Sequence, residues 1–234
     1  DDVRVRRALS MAIERDIITD RLTRFGEIPA YSFVPPGIPG YENAVPEWAS
    51  WTQAQRDAEA QRLMREAGYG PDNPLHLEIR YNTHQNHKKI SLAIAHMWRT
   101  KLGVRTSLLN EEFRVFLANR KQRRVTQVFR AGWIGDYPDP FTFLEINLSG
   151  SGLNDADWKS PQFDALMAEA SLTGDPQARM ALLTQAEALI LEDAPNAPVY
   201  TYVSKRVVKP WVRGWQPNLL DHHATRWMYL LKRE

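Results

Sequence analysis

Asp136 lies in the run Val128-Phe129-Arg130-Ala131-Gly132-Trp133-Ile134-Gly135-Asp136-Tyr137-Pro138-Asp139-Pro140-Phe141, which reads as a short apolar strand opening into a loop with a carboxylate among aromatic rings. Such a loop can hold a cation. Beside Trp133 and Tyr137 the carboxylate sits in a partly dry setting, where Coulomb attraction is worth several times its value in water if a partner completes it. A ligand's ammonium group would be such a partner, which makes Asp136 a candidate binding residue. Asp is equally an ordinary turn residue, and Tyr137-Pro138-Asp139-Pro140 supplies plenty of turn. Arg130 falls at a predicted strand end, and such ends line crevices in open α/β sheets. A surface ion pair is the plainer reading of it.

His84, His87 and His96 raise a second chemistry, a metal-dependent hydrolase. No Cys or carboxylate completes a recognised ligand spacing around them, and His-Glu-x-x-His is absent. Serine hydrolase chemistry lacks its Gly-x-Ser-x-Gly elbow, and Ser149 and Ser151 fall in Ser149-Gly150-Ser151-Gly152, read here as flexible punctuation. No glycine loop of the kind that cradles phosphate occurs. The eight Trp are core or loop anchors by default.

The elements that must position these groups follow from periodicity. Val5, Leu9, Ala12 and Ile13 share a helical face after Asp1 or Asp2, and Asp16 is placed to cap a second helix with Ile17, Ile18 and Leu22 that Gly26 stops. Ile28 to Trp51 holds five prolines (Pro29, Pro35, Pro36, Pro39 and Pro46), too many missing donors for regular structure. Thr52 with Gln55 forms a capping box for a helix reaching Gly68. Leu75, Leu77, Ile79 and Tyr81 alternate with polar residues as a half-buried strand does. A helix with Ile90, Ile94, Met97 and Trp98 inward ends at Gly103, and a strand follows over Val104 to Leu109. This is a βαβ unit with parallel strands. Phe113, Phe116 and Leu117 mark a short helix, and Val125 to Arg130 the next strand. Two helices follow, one through Phe163, Met167 and Ala170, the other started by Asp175-Pro176. Strands are expected over Val199 to Val203, Arg206 to Val208 and Trp227 to Leu231.

At 234 residues the chain is long enough to bury a proper core. Thirty Lys and Arg against 28 Asp and Glu leave +2, so no extended basic face for nucleic acid is implied. The absence of Cys rules out disulfides, thiolate zinc sites and a Cys nucleophile. No stretch approaches the roughly 18 apolar residues of a membrane span. The opening Asp1-Asp2-Val3-Arg4-Val5-Arg6-Arg7 looks like a capped helix start rather than a signal peptide, so a processed chain or a fragment is expected.

Several segments, in order, resemble the C-terminal lobe of periplasmic oligopeptide-binding proteins, the solute receptors of peptide ABC importers. Arg4 to Asp16 resembles the helix that begins this lobe in the dipeptide, oligopeptide and nickel receptor family. Pro29-Ala30-Tyr31, Pro35-Pro36 and Arg65-Glu66-Ala67-Gly68-Tyr69-Gly70 are similar to further stretches of it. The oligopeptide subgroup is suggested by Tyr81-Asn82-Thr83 with His87-Lys88-Lys89, Trp98 with Leu102-Gly103-Val104, and Ala131 to Tyr137. Lys159-Ser160-Pro161 with Phe163-Asp164, Pro198-Val199-Tyr200 and Val208 to Val212 continue the match.

This resemblance implies an α/β, periplasmic binding protein-like (type II) lobe with a central mixed sheet flanked by helices. It implies a non-catalytic receptor without cofactor, located in the periplasm and delivering oligopeptides to an ABC permease in the inner membrane. Asp136 would receive the ligand's α-amino group, while Arg120, Arg130 and His87 resemble positions that meet ligand carboxylates at different peptide lengths. Trp133, Ile134 and Tyr137 belong to the same ligand loop. Residues 1–212 would form the C-terminal ligand-binding lobe and 213–234 a segment returning to the N-terminal lobe. A murein tripeptide, with its extra carboxylates, is an alternative ligand, and a nickel or haem receptor on the same scaffold is another.

Overall fold

The computed structural model describes residues 2–123 and 125–232. Asp2 caps the first helix by accepting the Arg4 N–H at 2.8 Å; Asp1, the other candidate cap, lies outside the described residues. Helix α1 (Val3–Met11) buries Ala8, Leu9 and Met11. The next, α2 (Arg15–Ile17), passes directly into a π-helical turn over Ile18–Thr23. Asp16 does not cap it: Glu14 holds the cap position without a side-chain bond. The reason lies in the core. Arg15 is 1% exposed, and its guanidinium donates to the carbonyls of Ala30 (2.7 Å), Pro198 (3.0 Å), Ser10 (3.0 Å) and Ile13 (3.2 Å). That inward demand sets where the helix starts. Arg24, in the left-handed region at φ 59°, ends the turn before Gly26 is reached.

The proline-rich segment is irregular except for Ile28–Pro29 (β1), which pairs antiparallel with Tyr200–Thr201, and a 3-10 turn over Glu47–Ser50. It is held from afar. Glu187 accepts the Val34 N–H at 2.6 Å, the Ala44 N–H at 2.9 Å and the Tyr41 hydroxyl at 2.7 Å. Helix α3 (Gln53–Glu66) carries the reciprocal Thr52–Gln55 capping box.

Strand β2 (His76–Asn82), helix α4 (Gln85–Leu102) and strand β3 (Arg105–Glu111) form the expected βαβ unit, with β2 and β3 parallel from His76↔Arg105 to Asn82↔Glu111. Helix α5 (Phe113–Gln122) leads to β4 (Val128–Phe129), shorter than the predicted 125–130 and parallel to the other edge of β2. Strand order is β3-β2-β4. Three helices follow: α6 (Phe141–Leu144), α7 (Pro161–Leu172) and α8 (Pro176–Asp193), the last two capped by Ser160 and Asp175 ahead of Pro at the first turn. Tyr200–Thr201 is β5, and β6 (Val212–Arg213) pairs antiparallel with β7 (Tyr229–Leu230). Parallel pairing at the centre thus coexists with antiparallel ladders outside it. The strand expected over Arg206 to Val208 is absent, and residues 203–209 run without a ladder.

Two apolar clusters support this frame. One gathers Leu9, Met11 and Ile13 with Leu63, Ile79, Ile90 and Trp98 between α1, α3, α4 and β2. The other gathers Val34, Leu144, Phe163, Met167, Leu183 and Ile190 around α7 and α8. Burying each such side chain contributes about 1.5–3 kcal/mol. The second cluster fixes α6 and so the loop before it.

Candidate ligand-binding site

The chain leaves the sheet at the C-terminal end of β4, where Arg130 N–H donates to Arg80 O at 2.9 Å. The loop that follows is tied down at several points. At Gly135 a Cβ would come within 2.6 Å of the Phe143 ring, so any other residue would have to push that ring aside. Asp136 N–H donates to the buried Thr142 hydroxyl at 3.2 Å. Asp139 takes both arms of Arg179, at 2.7 and 2.9 Å, and caps Phe141 N–H at 2.9 Å. Burial alone would raise the Asp139 carboxyl, but Arg179 and the Phe141 amide hold it below the usual range.

The two carboxylates of the loop therefore differ in kind. Asp139 is used by the fold. Asp136 has only the Thr142 hydroxyl near its carboxylate, at 3.5 Å, and no basic side chain among the described residues pairs with it. It lines an open cleft of about 540 Å³ with Trp133, Glu145, Leu148, Gly150, Ser151, Leu153 and Asp164. Three carboxylates and, among the described residues, no basic group line this space, so its potential favours a cation. The indole N–H of Trp133 is buried without a partner among the described residues. Ile134 is 83% exposed, and the Tyr137 hydroxyl reaches Glu145 at 3.4 Å. Ser149 to Gly152 is an ordered turn rather than a flexible spacer: Ser149 N–H donates to Asp164 at 3.0 Å and Ser151 N–H to Leu148 O at 2.9 Å.

A cationic group stands at the strand end. Arg130 donates to the Tyr202 hydroxyl, and Tyr202 packs edge-on against Tyr200 with ring centroids 5.0 Å apart. Burial first, then the Arg130 guanidinium and His84, push His87 down to about 4. At neutral pH its imidazole is therefore uncharged, with Nδ1 3.4 Å from Asn82 O. Arg130 has no carboxylate partner among the described residues. Arg120 does have one: its Nε lies 2.6 Å from Asp155 Oδ2.

The structure thus brings Trp133 and Asp136 to one cleft and Arg130 to His87, while Arg120 is engaged by its own fold. Asp164, Tyr202 and Asp155 carry no sequence signal, since each reaches the site through a fold contact with a residue well away in sequence, whereas Glu145 is local, eight residues from Tyr137. The histidine trio does not assemble. His84 is the α4 cap, its Nδ1 accepting Asn86 N–H at 3.2 Å, and His96 sits 3.3 Å from Arg99. Among the described residues no three His, Cys, Asp or Glu side chains could hold a metal ion. Nor is any described helix long and apolar enough to cross a membrane.

Known proteins share this fold. Residues 1–155 match the family described as bacterial extracellular solute-binding proteins, family 5 Middle. The chain is 43% identical to the periplasmic oligopeptide-binding protein OppA of Escherichia coli, over 99% of this chain and 43% of that protein. It is 38% identical to the periplasmic murein peptide-binding protein MppA of the same organism, over 99% of this chain and 43% of that protein. Among solved structures, Burkholderia pseudomallei OppA superposes with a TM-score of 0.89 at 42% identity, covering 99% of this chain and 46% of that one. Haemophilus influenzae OppA in complex with RPPGFSPFR gives 0.88 at 35% identity, covering 99% and 46%. The chain spans less than half the length of these relatives.

The α/β frame is a lobe of type II periplasmic binding protein architecture, and the family model that it matches is one of solute-binding proteins. The chain belongs to the family of bacterial extracellular solute-binding proteins, family 5.

Proposed function

We propose that residues 1–212 are the C-terminal ligand-binding lobe of an oligopeptide receptor that serves an ABC permease from the periplasm, and that 213–234 returns to the N-terminal lobe. A free peptide is a zwitterion. Asp136 takes its α-ammonium group, while Arg130, His87 and Arg120 meet its carboxylates according to length, and Trp133, Ile134 and Tyr137 bound the first residues. The observation that carries this reading is the Asp136 carboxylate: it faces a cleft without a basic partner among the described residues, while its neighbour Asp139 is held by Arg179. Closure by the second lobe dries the contact, which strengthens the attraction and penalises a blocked amine.

Identity to both OppA and MppA across nearly the whole chain supports a peptide and supports a murein tripeptide as a second candidate ligand. Calorimetry of the receptor containing this chain, with a free-amine tripeptide, its N-acetylated form and a murein tripeptide, tests both. Strong loss on acetylation is expected. Equal affinity for the acetylated peptide would remove Asp136 from the ligand site, and tight binding of the murein tripeptide alone would favour the second candidate.

A further inference from the structure

The last turns of α5 are fastened to the loop that walls the Asp136 cleft. Arg120 contacts Asp155 at 2.6 Å and Arg123 contacts Asp157 at 2.9 Å. The same loop supplies Gly150, Ser151 and Leu153 to the cleft. Both members of the Arg120–Asp155 pair are four-fifths buried, at 20% and 21% exposure. Yet the geometry is poor: among the described residues no acceptor lies in line with the buried Nε–H of Arg120. The guanidinium lies 5.8 Å over the Phe116 ring, which packs edge-on against Phe129, the residue before Arg130. The contact is Coulombic, and a better aligned carboxylate could replace it.

We propose that Asp155 is a specificity-determining residue, an internal carboxylate that occupies Arg120 and selects peptides by where their own carboxylate falls. The proposal rests on Arg120 being a ligand-carboxylate residue. A peptide whose carboxylate arrives at Arg120 must displace Asp155 or share the guanidinium with it, and two carboxylates on one site repel. A peptide whose carboxylate arrives at Arg130 and His87 meets no such competitor among the described residues. Asp155 therefore weights the receptor towards the second kind of ligand.

The test titrates free-amine di-, tri- and tetrapeptides, each as free acid and as C-terminal amide, against the receptor containing this chain. Wild type, Asp155→Asn, Arg120→Met and the double variant are compared. Asp155→Ser removes the same charge by a second route. Removing one charge about 5 Å from a ligand carboxylate corresponds to about fourfold in affinity at water-like dielectric. At least one free acid should gain that much or more on Asp155→Asn, its amide should not, and Arg120→Met should erase the gain. An unchanged acid-to-amide ratio at every length, or a gain that survives Arg120→Met, overturns the proposal. Failure of the amine clamp shows separately, as indifference to N-acetylation in the wild type.

Discussion

Asp136→Asn removes one charge, keeps the side-chain volume, and disturbs little of the fold, because among the described residues the carboxylate is hydrogen-bonded only by Thr142, at 3.5 Å. An ammonium about 4 Å away would lose a Coulomb term of about 4 kcal/mol at an effective dielectric near 20. Measured costs of removing one member of a desolvated charge pair run at about 3–5 kcal/mol. Peptide affinity should thus fall by roughly two to three and a half orders of magnitude. Isothermal calorimetry of the receptor containing this chain reads the loss, and a thermal melt should show stability within about 0.5 kcal/mol of wild type. The N-acetylated peptide should bind both proteins equally. A loss below about fivefold for the free peptide, with the melt unchanged, would refute the reasoning, since it would mean that the ammonium does not rest on this carboxylate.

Three further outcomes follow from groups that the fold itself uses. Glu187→Ala strips the acceptor from Val34 N–H, Ala44 N–H and the Tyr41 hydroxyl; leaving buried donors unpaired should cost about 3 kcal/mol or more in urea unfolding. Glu27 is disfavoured as an anion by burial, but bonds from Lys205, Thr23 and the Phe25 amide outweigh this and hold it at about 2, below its ordinary 4.5. Its folded value is depressed, so its contribution is full above pH 4.5 and lost as pH falls to about 2; with Lys205 half exposed this amounts to about 1 kcal/mol, and Glu27→Gln should flatten that slope. The His87 ring should titrate near 4 by NMR, and Arg130→Met, which removes one of the causes after burial, should move it up.

Local chemistry made much of the frame legible. The capping box Thr52–Gln55 and the Asp175-Pro176 start involve neighbours only, and β2 announces itself by alternation. What escaped depends on residues far apart in the chain. Arg15 sets the start of α2 because Ala30 and Pro198 need its donors. The proline-rich loop is ordered by Glu187, about 150 residues away in sequence. At the site the aromatic loop and its carboxylates are visible in the sequence, but the division of labour between them is not. Arg179, 40 residues from Asp139, consumes one and leaves Asp136 open. Asp155 is hidden for the same reason, since nothing near Arg120 in sequence foretells its partner.

The crystal structure of the receptor containing this chain with a free-amine tripeptide tests the central claim most directly. The account predicts the ligand's terminal nitrogen within about 3 Å of an Asp136 carboxylate oxygen, the usual length of a charge-assisted hydrogen bond. A terminal amine seated elsewhere, with Asp136 turned to solvent or paired with a basic side chain of the receptor, would contradict it.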